Sequence, residues 1–296
     1  MAATAKKKTA SKKTRQAKVT RKSTAKKVAP KATKAASANN GKGVTLDKLK
    51  KFNIFAAVSN AAFAVLSIIF ISKDTVVASL PYAAKDDFAS ATDTVFGAAY
   101  KILSEVEIRY LLAFIFGLSA VFSILLATKL QSRYNAQLTK SASILRWVFT
   151  GISLGLILEL SSKLANVDNI ATLKTIGALV VVTSILWIIS EQQNKGSKGK
   201  LAIFYLSLLT LFLAVMPLAL SLVASAIYGM EWFGWHVYLL AFAVIFGLAV
   251  IAYNQYKSAK YGVSAKGYLE LEGKYLSVDY LVKFSAFIIL LIALYK

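Results

Sequence analysis

The chain has 296 residues, of which 57% are hydrophobic, and it carries a formal net charge of +22. A soluble domain of this length needs polar residues to cover its surface, and here they are concentrated in one terminal segment and in short loops. Cysteine is absent, which excludes disulfides, thiol catalysis and cysteine metal sites. Glycine-rich phosphate loops are missing as well, so we expect no enzymatic activity. The single histidine, His236, is interpreted as a surface residue of a short loop rather than a metal ligand.

Residues 1–44 consist almost wholly of alanine, lysine, threonine and serine. Residues 1–51 hold 17 basic residues and one acidic residue, so most of the net charge lies at this end of the chain. Such a segment buries too little apolar surface to offset the entropy lost on ordering, and we predict a disordered cytoplasmic tail. Anionic lipid headgroups are its favoured partner, ahead of nucleic acid. The alternative is a solvated tail that only fixes the orientation of the protein.

The rest of the chain, residues 45–296, contains seven apolar segments long enough to cross about 30 Å of hydrocarbon. These segments are Phe52–Ile71, Tyr110–Thr128, Ser143–Ser162, Ile170–Ser190, Leu201–Ile227, Val237–Tyr253 and Tyr275–Tyr295. No apolar signal peptide with a cleavage site precedes them, so we expect the first segment to direct insertion. The pattern predicts an all-α, multi-pass integral membrane protein that forms a seven-transmembrane-helix bundle in the lipid bilayer.

The connection between the first two apolar segments, Ser72–Arg109, is long. It contains β-prone stretches at Thr75–Leu80 and Thr94–Tyr100, flanked by turn-forming Pro81 and Gly97. The spacing predicts a small β-hairpin in the first extracellular loop.

The charges of the connections predict the orientation of the bundle. Every second connection, counted from the basic tail, is positive: +4, +2 and +2 for Lys129–Arg146, Glu191–Lys200 and Asn254–Lys274. The other connections are neutral or negative. Because cytoplasmic loops are enriched in lysine and arginine, we expect the N-terminus in the cytoplasm and the C-terminus outside.

The last apolar segment contains two charged residues, Asp279 and Lys283. They are four residues apart and therefore share one face of a helix. A desolvated lysine amine can condense with an aldehyde, and a nearby carboxylate keeps the resulting Schiff base protonated. Retinal is the obvious aldehyde for a lysine inside a seven-helix bundle. An ion pair that fixes helix packing, or that lines a transport path, is the alternative on spacing alone.

Short motifs along the body of the chain carry a resemblance. In chain order they are Phe52-Asn53, then Gly117, Leu118, Ser119, Ala120 and Phe122, then Arg133, Tyr134, Ala136 and Leu138, then Arg146-Trp147-Val148, Gln255-Tyr256-Lys257, and Tyr268, Leu269 and Glu272. In their order and spacing, over Leu46–Lys296, these residues resemble the heliorhodopsin family. The resemblance implies a rhodopsin-like fold, a small β-sheet after the first span, a cytoplasmic N-terminus, and all-trans retinal bound covalently to Lys283. We also expect a homodimer.

The sequence departs from the family pattern close to the retinal lysine. The family's counterion is a glutamate directly after Arg-Trp-Val, and this chain has Phe149 there. One turn before the lysine the family usually has serine, and this chain has Asp279. We therefore predict a relocated counterion, Asp279, and include Phe149 among the residues of the retinal site. The family's histidines in spans 1 and 2 fall on Asn60 and Ser123, which puts its proton-acceptor group in doubt.

Ser119 is a candidate polar neighbour of the Schiff base by resemblance, and a small packing residue is the alternative. Asp279 is the one carboxylate we expect deep in the membrane, whereas a proton pump needs carboxylates on both sides of the Schiff base. We therefore favour a sensory photoreceptor that signals to a cytoplasmic partner. A light-activated proton or ion channel or transporter of the same fold is the second interpretation. A non-photoactive carrier or scaffold, which uses Lys283 and Asp279 structurally, is the third.

Overall fold

The computed structural model describes residues 43–85, 96–193, 201–229 and 233–295. The predicted disorder of residues 1–44 falls almost entirely outside these ranges and stays a prediction. Eight helices and two strands occur in the described ranges. They are α1 (Leu46–Phe70), β1 (Thr75–Lys85), β2 (Phe96–Glu107), α2 (Ile108–Ala127), α3 (Gln131–Leu138), α4 (Ile144–Leu164), α5 (Ile170–Gln193), α6 (Leu201–Tyr228), α7 (Trp235–Tyr261) and α8 (Ala265–Ala293).

Seven of these helices, all except α3, are long and apolar enough to cross a membrane. The chain is thus an integral multi-pass membrane protein, as the seven apolar segments predicted. The helices expose many large apolar side chains on their outer faces, as is expected of surfaces that contact lipid tails. The short helix α3 lies in the connection between α2 and α4 and was not predicted.

The spans differ from their predicted bounds mainly at the end of the bundle that contains the short helix α3. The last span starts at Ala265 instead of Tyr275, and α7 continues to Tyr261, so the predicted loop 254–274 is largely helical. The error has a physical cause: polar side chains in this stretch, such as Glu272, are buried against partners from other helices rather than solvated. The first span begins at Leu46, six residues before the predicted start, and Thr45 caps it by accepting a hydrogen bond from the backbone N–H of Lys48 at 3.2 Å.

The predicted hairpin is confirmed, and it is longer than the sequence indicated. Strands β1 and β2 pair antiparallel from Thr75↔Glu107 to Lys85↔Phe96, with an irregularity after Ala78. Pro81 lies within β1, opposite Tyr100, which a two-stranded ribbon tolerates because each strand has a free edge.

The hairpin is joined to the bundle at two places. Strand β2 ends at Glu107 and α2 begins at the next residue, so no linker separates them. The backbone N–H of Ser79 donates to the carbonyl of Asp168 in the turn between α4 and α5, at 2.9 Å. These contacts fix the hairpin over the ends of α2, α4 and α5.

Small residues permit close approach of the helices near the last span. A Cβ at Gly247 of α7 would lie 2.2 Å from a methyl carbon of Val282 on α8. The side chain next to Lys283 therefore packs directly on the backbone of α7, and α8 is held tightly on that side.

Candidate functional site

Asp279 and Lys283 form an ion pair on α8. The Lys283 ammonium donates to Oδ2 of Asp279 at 2.6 Å, and the lysine is only 4% exposed. The other carboxylate oxygen, Oδ1, is buried and has no hydrogen-bond partner. One acceptor of this carboxylate is thus available to a further donor.

A small cavity of about 20 Å³ lies beside this pair, large enough for about one water molecule. Helices α1, α2, α4 and α8 line it. The four residues predicted for the site, Lys283, Asp279, Ser119 and Phe149, all lie on its wall. Its other lining residues are Asn53, Phe122, Ser123, Leu126, Arg146, Thr150, Ser153 and Leu276. Residues separated by up to 230 positions in the chain therefore meet at one point.

The cavity wall also contains Ser119, the predicted polar neighbour of the Schiff base, and Phe149, which stands at the position of the family's counterion. Ser119 is buried, and its hydroxyl donates to the carbonyl of Ile115 one turn earlier, at 2.9 Å. Phe149 stacks on Phe122 of α2, with ring centroids 4.3 Å apart and planes within 8° of parallel. The ring at the family's glutamate position thus closes the seam between α2 and α4 and places no charge in the cavity.

The two positions that replace the family's histidines have different surroundings. Ser123 lines the cavity, whereas Asn60 is buried in α1 and is not among the lining residues. The Oδ1 of Asn60 has no hydrogen-bond partner. From α1 it is instead Asn53, one residue of the Phe-Asn motif, that reaches the cavity.

A second group of charges lies further toward the α3 end of the bundle, centred on Arg146. The guanidinium donates to Oε1 of Glu191 on α5 at 2.7 Å and to Oε2 of Glu272 on α8. All three residues are at most 4% exposed. We call Arg146, Glu191 and Glu272 the inner cluster. It contains one cation and two carboxylates.

The two carboxylates of the inner cluster accept different numbers of hydrogen bonds. Glu191 accepts from the Arg146 guanidinium, the Trp147 indole at 2.8 Å, the Tyr268 hydroxyl at 2.7 Å and the backbone N–H of Ser143 at 3.1 Å. Within the described ranges, Glu272 accepts from Arg146 and from the Tyr134 hydroxyl, which lies 2.5 Å away on α3. The inner cluster therefore links α3, α4, α5 and α8.

The sequence-based interpretation missed the inner cluster. It counted the three charges as parts of solvated inner connections, and it expected no deep carboxylate other than Asp279. The available signal was position: Glu191 directly follows an apolar segment, Arg146 lies near the start of another, and Glu272 lies three residues before the last one. Arg146 and Glu272 also belong to the motifs that carry the resemblance. Without these three charges, the three inner connections each have a net charge of +3, so the charge pattern behind the predicted orientation is unaffected.

Comparison with known proteins identifies the family. The sequence model of the heliorhodopsins matches residues 49–286, which is most of the chain. The chain belongs to the heliorhodopsin family. Membership implies a retinal-binding, light-sensing membrane protein. A search of curated proteins finds no match.

The residues present fit the chromophore of a heliorhodopsin at its point of attachment. Lys283 supplies a buried primary amine, which is the group an aldehyde needs, and Asp279 supplies a carboxylate with one oxygen unpartnered. The cavity of about 20 Å³ lies at the point of attachment, between the Lys283 amine and the residues of α2 and α4.

Proposed function

We propose that the chain is a sensory photoreceptor in which all-trans retinal is attached to Lys283 and Asp279 is the counterion. The observation that carries the proposal is the 2.6 Å contact between the Lys283 ammonium and the Asp279 carboxylate, at a cavity inside the bundle. When bound, retinal supplies absorption of visible light and a change of shape through isomerisation. The other steps depend on residues of the chain itself.

Asp279 keeps a positive charge stable at the lysine nitrogen, because an opposite charge at hydrogen-bond distance favours the charged form. In the family pattern this is the role of a glutamate on the third span, but the aromatic pair of Phe149 and Phe122 leaves no carboxylate there. Ser119 and Thr150 add hydroxyl groups on the cavity wall, where they can orient a water molecule toward Oδ1 of Asp279.

A sensory role is favoured over transport by the asymmetry of charge along α8. On the side of the inner cluster, Glu272 lies seven residues before Asp279, about 10 Å along the helix. On the other side, α8 carries no charged residue from Phe284 to Ala293. A proton can thus be passed toward the α3 end by carboxylates, whereas α8 offers no comparable group toward the opposite end.

The inner cluster nevertheless favours a second candidate function, a light-activated proton channel. Two buried carboxylates lie between the cavity and the predicted cytoplasmic side, where the sequence had indicated none. Reconstitution with all-trans retinal followed by recording under voltage clamp separates the two functions. A coloured protein without photocurrent supports the sensor, and a photocurrent supports the channel. Failure to form a coloured complex supports the non-photoactive carrier or scaffold.

The orientation and the partners are further proposals. We place the N-terminus in the cytoplasm on the strength of the positive inner connections, and a C-terminal epitope tag should then be reachable on intact cells. Accessibility of an N-terminal tag alone would contradict this. The partners we propose are anionic lipid for the basic tail, a cytoplasmic signalling protein, and a second copy of the chain. The exposed apolar side chains of the hairpin, such as Tyr82, Tyr100 and Ile102, favour such a second copy.

A further inference from the structure

We infer that Glu272 is a proton-binding site whose occupancy controls the attachment of α3 to the bundle. The inference goes beyond retinal binding, because it concerns a group of residues that does not include Lys283. It begins from charge: Arg146 offers one positive charge to Glu191 and Glu272, so the inner cluster has a net charge of −1 in a buried place. An uncompensated buried charge is costly, and binding of one proton removes it.

The hydrogen bonds decide which carboxylate takes the proton. Donors to a carboxylate stabilise its ionised form. Among the described residues Glu191 accepts four hydrogen bonds and Glu272 accepts two, so fewer donors stabilise a charge on Glu272. When a proton binds, an O–H bond forms on the Glu272 carboxyl group and the cluster becomes neutral. The proton comes from water, and it returns to water when the site empties.

The other groups near Glu272 do not compete for the proton. The titratable side chains that face the cluster are Tyr134 on α3 and Tyr268 and Tyr275 on α8. As neutral phenols they donate hydrogen bonds and are already uncharged. Helices α1 and α7 contribute the neutral amides of Asn53 and Gln255.

The cavity beside Asp279 extends to Arg146 of the inner cluster. Arg146 lines the cavity beside Asp279, and its Nε is buried without a hydrogen-bond partner. A water molecule in the cavity can accept from this donor and donate to the free oxygen of Asp279, which connects Asp279 with Arg146 of the inner cluster.

Protonation of Glu272 affects α3 because the hydrogen bond from Tyr134 to Glu272 is one of the contacts between this short helix and α8. The hydrogen bond from Tyr134 is short, at 2.5 Å, and its acceptor is a charged oxygen. A bond of this kind is roughly twice as strong as one between neutral groups. Protonation of Glu272 removes that advantage and also weakens the pair with Arg146. Helix α3 then moves away from α8, and the predicted cytoplasmic face changes shape.

The first test uses the full-length protein without added retinal, so it does not depend on the proposed photoreceptor function. Infrared difference spectra between alkaline and mildly acidic buffer should show the carbonyl band of a protonated carboxylic acid. Glu272→Gln should remove the band. Glu159→Gln, at a carboxylate paired with Lys174 outside the cluster, should keep it. Absence of the band in the parent protein, or its persistence in Glu272→Gln, overturns the inference.

The second test follows α3 directly. Because the chain has no cysteine, spin labels can be placed uniquely at Ser132→Cys on α3 and Lys266→Cys on α8, both exposed. The distance between the labels should increase on acidification in the parent and in Glu159→Gln. Tyr134→Phe removes one hydroxyl group only, and in it the distance should stay at the long value at both pH values while the infrared band remains. A parent distance that does not respond to pH, or a Tyr134→Phe distance that still responds, contradicts the proposed coupling.

Discussion

The bundle contains two buried groups of charge that are built in opposite ways. The pair of Lys283 and Asp279 lies on one helix, four residues apart, and borders a cavity with one carboxylate oxygen unpartnered. The inner cluster joins side chains from three helices, Tyr134 connects it to a fourth, and its carboxylates accept hydrogen bonds from several donors. Geometry within a helix is set by the backbone, whereas geometry between helices is set by packing. The first group is therefore suited to reaction and the second to holding the bundle together.

The largest effect we expect is on the covalent attachment of retinal, which needs Lys283 and no residue of the inner cluster. Lys283→Ala should abolish covalent pigment altogether, because no other amine lies at the cavity. Lys174→Ala, which removes an exposed lysine from an ion pair with Glu159, should leave it intact. Absorption spectra after reconstitution with all-trans retinal, repeated after denaturation, measure both. Covalent pigment in Lys283→Ala would show that the attachment site lies elsewhere.

The next effect tests whether Asp279 is the counterion. Asp279→Asn removes the carboxylate that stabilises charge at the lysine nitrogen, so the linkage should be unprotonated near neutral pH. The protein should then absorb in the near ultraviolet and regain visible colour on acidification. Phe149→Glu in the same background should partly restore the colour, because it returns a carboxylate to the cavity. A spectrophotometric pH titration of the three proteins decides the matter, and an unchanged spectrum in Asp279→Asn would exclude this counterion.

A smaller effect is expected on stability at the inner cluster. Arg146→Met leaves two buried carboxylates without their cation, and breaking a buried pair in this way costs about 3–5 kcal/mol. The matched change Lys174→Met breaks a pair whose lysine is 64% exposed, and such pairs contribute about 0–1 kcal/mol. Thermal unfolding in detergent compares the two variants with the parent. Equal melting temperatures for both variants would show that the cluster does not hold the helices together.

The smallest expected effect concerns the basic tail. Deletion of residues 1–44 should leave retinal binding unchanged, because the segment has no apolar face with which to pack. Binding to vesicles that contain anionic lipid should weaken, and the difference should fade as salt is added. Cosedimentation with such vesicles measures it. Loss of pigment on deletion would show that the tail contributes to the fold.

The two groups also mark how far the sequence predicts the structure. Apolar length alone predicted seven spans, and the spacing of Asp279 and Lys283 predicted their contact, because both follow from the regular geometry of one helix. Neither rule applies to Arg146, Glu191 and Glu272. Their partners are up to 138 residues away in the chain, and a charge at the edge of an apolar segment has the same local pattern whether it is solvated or buried. The helix bounds were wrong in the same place for the same reason.

The stacking of Phe149 on Phe122 bears on the order in which positions 149 and 279 changed. If an ancestor had the family's glutamate at position 149, its loss before Asp279 arose would have left a buried cation at the lysine without any carboxylate beside it. In that case the order with the lower cost is that the acid on α8 arose first and that an intermediate with two carboxylates preceded the ring. The stack also gives a return to glutamate a packing cost, since a glutamate at 149 would lose the ring contact with Phe122 while it brings a carboxylate to the cavity.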